Sequence, residues 1–67
     1  MMDTAPLIHM ANQIASNLAA QGEAAAIEQT AQHLIAFWDP RMKAGILAAD
    51  PAPLSPIARA AVEQLRG

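Results

Sequence analysis

Apolar residues recur along the chain at helical spacing in four stretches, separated by prolines and glycines. Leu7, Ala11, Ile14 and Leu18 follow one another at intervals of four, three and four, with Ile8 and Ala15 beside them and Met10 at the edge. That period predicts an amphipathic helix over about residues 6–20. Thr4 or Asp3 can cap it, and Pro6 suits an early helical position because the amide hydrogen it lacks has no partner there. Gln21-Gly22 reads as a stop, with Gly22 free to adopt positive φ. Ile27, Ala31, Leu34 and Trp38 repeat the spacing over about residues 23–38, with Ala24 and Ile35 widening the stripe. Glu28, Gln29 and Gln32 lie off it. Two helices joined by so short a turn suggest a helical hairpin.

Pro40 disfavours helical dihedrals at Asp39, so the second helix should end near Trp38. Asp39 followed by Pro40 is itself a start signal, a side-chain cap and then a preorganised first residue. A short helix over about residues 40–49 follows, with Met42, Ile46 and Leu47 apolar. Asp50-Pro51-Ala52-Pro53-Leu54 predicts an extended, polyproline-like connector over 50–54. Ser55-Pro56 repeats the start signal, and Ile57, Ala58, Ala61, Val62 and Leu65 give the last helix, about 56–65, one apolar face. No run alternates with period two, so no strand is expected. The predicted fold is all-α: residues 1–67 form one small bundle of three to four short helices. An N-terminal hairpin is followed by two shorter helices joined by the Pro-rich connector.

Composition changes the meaning of that apolar pattern. Hydrophobic residues make up 54% of the 67 positions, but 17 of them are alanine, which leaves 19 larger ones. Alanine favours helix and fills little space, so these helices should pack closely around a thin core. Chains below roughly 70–80 residues seldom obtain more than about 3–5 kcal/mol from a single core and usually need a disulfide, a metal or a partner. With no cysteine, disulfides, thiolate metal sites and a cysteine nucleophile are excluded.

A net charge of −2, with only Arg41, Lys43, Arg59 and Arg66 basic, gives no stripe for nucleic acid. No apolar run reaches the roughly 18–20 residues that span a bilayer. The start Met1-Met2-Asp3-Thr4 lacks the basic residues of a signal peptide, so a cytoplasmic location and no membrane partner are expected.

The inventory for catalysis is thin. His9 and His33 lie far apart in sequence, each beside a core-facing residue, and are expected on the flanks of the hairpin rather than on a metal. Ser16, Ser55, Thr4 and Thr30 sit in no nucleophile elbow, and no glycine-rich phosphate loop is present. Glu23 and Glu28, five residues apart, do not stack on one helical face. No catalytic, cofactor-binding or metal-ligating residue is expected.

The dense segment is Phe37-Trp38-Asp39-Pro40-Arg41-Met42, which holds both aromatics beside a helix break. Trp38 continues the apolar stripe, and the pair can fill the core at the corner. Neighbours on a helix diverge by about 100°, however, so one ring of the two tends to point outward, and Trp, Met and Arg are enriched at interface hot spots. Arg41 in the first turn of a helix opposes the helix dipole. It is offset either by Asp39 or by a carboxylate on another protein.

Three blocks make the chain resemble a known family. They are Leu7-Ile8-His9-Met10-Ala11-Asn12-Gln13-Ile14-Ala15, then His33-Leu34 with Phe37-Trp38-Asp39-Pro40-Arg41-Met42-Lys43, and finally Leu54-Ser55-Pro56. In this order and spacing they resemble the delta subunit of NAD-dependent, molybdenum- or tungsten-containing formate dehydrogenase, over nearly the whole chain. The resemblance implies a cytoplasmic complex that oxidises formate to CO2 with NAD+. Its catalytic alpha subunit carries bis-molybdopterin guanine dinucleotide and Fe–S clusters, and further subunits carry FMN and the NAD site. It implies no cofactor in the delta chain itself, whose role would be assembly or stability of the catalytic subunit. Partner contacts are carried onto Phe37, Trp38, Asp39, Pro40, Arg41 and Met42, and onto Asn12 and Gln13 of the first block. The chain departs from the family pattern at Asn17-Leu18, where aromatics are expected, and near His9 and at Ile35-Ala36, where basic residues are expected.

Two other classes stand beside this one: a free-standing helical adaptor or homodimer using the same apolar faces, which fits the residues alone, and a transient chaperone for cofactor insertion, which the resemblance also allows. Isologous pairing would supply core that the monomer lacks.

Overall fold

In the computed structural model, which describes residues 3–66, four α-helices follow one another. They are α1 (Ala5–Leu18), α2 (Glu23–Phe37), α3 (Pro40–Ala48) and α4 (Pro56–Arg66), with a single 3-10 turn over Ala19–Gln21. There is no strand among the described residues, so the all-α bundle expected from the apolar period is the observed fold.

Each helix boundary has a local cause. Asp3 Oδ1 accepts from the Ala5 amide at 3.1 Å, and the Thr4 side chain makes no cap bond. α1 tightens into the 3-10 turn, which ends at Gly22 with φ 103° and ψ 151°. A Cβ at Gly22 would meet nothing within 4 Å. The requirement for glycine is therefore a matter of backbone dihedrals and not of space. The repeated cap-proline signal starts α3 and α4 as anticipated. Asp39 Oδ1 accepts from the Met42 amide at 2.8 Å, and Ser55 Oγ accepts from the Ala58 amide at 3.3 Å.

The segment predicted to be an extended connector is not extended throughout. The Leu54 amide donates to the Pro51 carbonyl at 3.0 Å, and Asp50 Oδ1 accepts from the Ala52 amide at 3.0 Å. Proline presets the φ that a turn needs, and the aspartate side chain bonds its own backbone two residues on. The turn carries Leu54 back into the molecule, where it is 3% exposed.

The core is thin, as the composition implied. Among the described residues six of the twelve buried hydrophobics are alanine: Ala11, Ala15, Ala26, Ala31, Ala58 and Ala61. The larger ones are Leu7, Leu34, Trp38, Ile46, Leu54 and Val62. The chain is nonetheless closely packed, with a radius of gyration of 10.7 Å, against about 11 Å expected for an independent domain of this length.

One expectation needs correction, the buried face of α2. α1 and α2 contact each other, as the hairpin predicts, and α2 packs still more extensively against α4. The buried side of α2 is accordingly turned towards Ala26 and Thr30. Ala24 and Ile35, expected to widen the stripe, are exposed, and Ile27 is half-buried. Thr30 is fully buried, and its hydroxyl has no hydrogen-bond partner.

Candidate functional site

The break between α2 and α3 sorts the two aromatics. Trp38 leaves the helix with φ −85° and ψ 136°, while its amide still donates to the Leu34 carbonyl at 3.1 Å. The extended backbone turns the indole inward, where it is 7% exposed and belongs to the same core cluster as Leu34, Ile46 and Leu54. Phe37, the last helical residue, keeps its helical direction and is 75% exposed. Neighbouring side chains thus diverge as helix geometry requires, and it is the phenylalanine that faces out.

Phe37 is not isolated. The His33 ring, one turn earlier on α2, lies with its centroid 4.8 Å from that of Phe37 and its plane tilted by 40°. That offset and tilt are in the range aromatic pairs prefer. Gln29, Gln32, His33, Ala36 and Phe37 line an open, shallow recess of about 470 Å³ on the outer face of α2. Gln32 Nε2 donates to Glu28 Oε1 at 3.4 Å, so one edge of this face is tied down.

The remaining residues of the corner divide between inner and outer roles. Met42 is partly buried against the core, and Asp39 is engaged in capping α3. Pro40 and Arg41 are exposed. Arg41 does not pair with Asp39: among the described residues the ion pair is Arg66 with Glu63, at 3.4 Å. Arg59 and Arg66 donate to backbone carbonyls, of Ala52 and Leu54 and of Leu47 respectively. No such acceptor engages Arg41 or Lys43 among the described residues.

The structure sends Asn12 elsewhere. Its Nδ2 donates to the Pro53 carbonyl at 3.0 Å, and its Oδ1 accepts from the Ser55 amide at 2.8 Å. Asn12 therefore clamps α1 to the turn before α4, a role missed in the sequence because the partners lie 41 and 43 positions away. Gln13, its neighbour, is exposed. His9 and His33 are both exposed, and no group of three or more His, Asp or Glu side chains that could hold a metal occurs among the described residues. No helix of the described residues is long and apolar enough to cross a membrane.

What this chain presents to its surroundings is therefore the outer surface of a small all-α scaffold, with one exposed aromatic corner. The family model for the NADH-dependent formate dehydrogenase delta subunit FdsD matches residues 6–62, and the chain belongs to this family. The matched span takes in nearly all of α1, all of α2 and α3, both cap-proline corners and most of α4. A delta subunit is one part of a multi-subunit enzyme, here a formate dehydrogenase. Comparison with curated proteins and with solved structures gives no match.

Proposed function

We propose that this chain is a non-catalytic subunit of a cytoplasmic NAD-dependent formate dehydrogenase, and that it docks on the catalytic molybdopterin subunit to support its assembly or stability. The family match over residues 6–62 carries the reading. The alanine-lined core and the exposed Phe37 corner support it. A scaffold with so little internal core gains stability from any partner that binds the folded form alone. At a free partner concentration of a hundred times Kd the gain is about 2.7 kcal/mol. Covering the Phe37 ring would contribute about 1.5–3 kcal/mol towards such an interface. In this reading the molybdopterin cofactor, Fe–S clusters and FMN belong to the other subunits, and formate oxidation takes place there.

The test is co-expression of the complex with and without this chain. The readouts are subunit stoichiometry by mass spectrometry, yield of soluble catalytic subunit, and formate-dependent NAD+ reduction. The expected result is one copy of the chain per catalytic subunit, with lower yield and activity when it is omitted. Full yield and activity without the chain, and no co-purification when it is present, would overturn the proposal. Recovery far below one copy per complex, with activity still dependent on the chain, would identify a transient assembly factor instead.

A further inference from the structure

Resting on that reading, we propose that the exposed Phe37 ring and the Arg41 guanidinium, which has no partner among the described residues, form one docking corner. Its occupant is the surface of another subunit that offers an apolar pocket edged by a carboxylate. Four observations converge on this corner. Among the described residues Phe37 is the most exposed of the large hydrophobics, and the His33 ring at 4.8 Å supports it from one side. A supported ring loses less freedom on binding, which favours it as an anchor. Beside it the recess of Gln29, Gln32, His33 and Ala36 offers amide groups and small apolar surface.

Arg41 supplies the polar half. It lies four positions after Phe37, so the two Cα atoms are at most about 14 Å apart. Its charge sits in the first turn of α3, against the positive end of the helix dipole, where a cation is disfavoured. The other two arginines are engaged by carbonyls or by Glu63, whereas Arg41 and Lys43 have no acidic partner among the described residues. A cation kept at an unfavourable place without an internal acceptor is matched by an acceptor on a partner.

Charge also selects the occupant. Arg41 and Lys43 against Asp39 leave the corner net positive on a chain whose net charge is −2. A two-fold interface between copies of this chain, centred here, would set the corner against itself and bring like charges together. An acidic rim around an apolar pocket on a different subunit meets both halves.

The test uses the co-expressed complex with a tag on this chain, and reads the amount of identified catalytic subunit recovered per tagged chain. Phe37→Asp and Arg41→Glu are each expected to lower recovery at least tenfold, in the range of hot-spot substitutions. Arg41→Lys is expected to retain most of it. Ile35→Ser is the control. Ile35 is 54% exposed but lies about 160° around α2 from Phe37, and its recovery should be unchanged. Both substituted side chains are exposed, so circular dichroism should show unchanged helicity, and Phe37→Gln replaces Phe37→Asp if it does not.

Full recovery with both Phe37→Asp and Arg41→Glu, while the unsubstituted chain co-purifies, overturns the corner and leaves the docking reading standing. Failure of the unsubstituted chain to co-purify overturns both. Sedimentation of the chain as a dimer that Phe37→Asp splits assigns the corner to a second copy and overturns the occupant.

Discussion

The corners before α3 and α4 are written in the same grammar and end in opposite states. In each, a bulky residue is buried just before the cap, Trp38 in one and Leu54 in the other. In each, a side-chain oxygen caps the third residue of the new helix, and proline follows the cap. The corner before α4 is closed by the rest of the molecule: Asn12 of α1 grips Pro53 and Ser55, and Arg59 bends back to the carbonyls of Ala52 and Leu54. Among the described residues no comparable hydrogen bonds from other elements close the corner before α3, and Phe37 and Arg41 lie exposed. Local signals thus determine where a helix starts, while a second element decides whether the corner becomes interior structure or stays exposed.

The comparison can be broken in order of expected effect. Removing the buried anchors should cost most: Trp38→Ala about 3–5 kcal/mol and Leu54→Ala about 2–5 kcal/mol. Either approaches the whole stability that a core of this size supplies, about 3–5 kcal/mol. Thermal unfolding of the isolated chain followed by circular dichroism should show the cooperative transition lost or lowered by more than about 10 °C. Opening the closed corner comes next. Asn12→Ala removes two hydrogen bonds and strands a part-buried amide at Ser55, with an expected loss of about 1–3 kcal/mol, read as a lower urea midpoint. The caps should be alike, Asp39→Ala and Ser55→Ala each costing about 1 kcal/mol in the same titration.

The smallest effects separate the corners most sharply. Arg59→Ala should lower stability by about 0.5–1 kcal/mol, since it releases contacts to two carbonyls. Arg41→Ala should leave the isolated chain unchanged or more stable by a few tenths of a kcal/mol, because it removes a charge opposed to the helix dipole. The same substitution should weaken recovery of the complex. An equal loss of stability from both would mean that Arg41 has an internal role.

Much of this was legible in the sequence because it is local. Helix starts at Pro40 and Pro56, the stop at Gly22 and the divergence of Phe37 from Trp38 each depend on a few adjacent residues. What was not legible depends on distant contacts. The buried face of α2 includes Ala26 and Thr30, and with alanines spread around much of the helix the apolar pattern could not point there. Prolines at 51 and 53 suggested an extended connector, yet the turn forms, Leu54 enters the core, and Asn12 holds the segment from across the bundle. Of the interface residues inferred from the family resemblance, Phe37, Pro40, Arg41 and Gln13 lie exposed, whereas Trp38 and Asn12 serve the fold itself.

Hydrogen–deuterium exchange on the assembled formate dehydrogenase, compared with the isolated chain, tests the difference between the corners most directly. The account predicts that amides from about residue 34 to 43 slow at least tenfold in the complex, while those from about 52 to 59 change little beyond the general gain in stability. Slowing confined to residues 52–59, or no difference between the two corners, would contradict it.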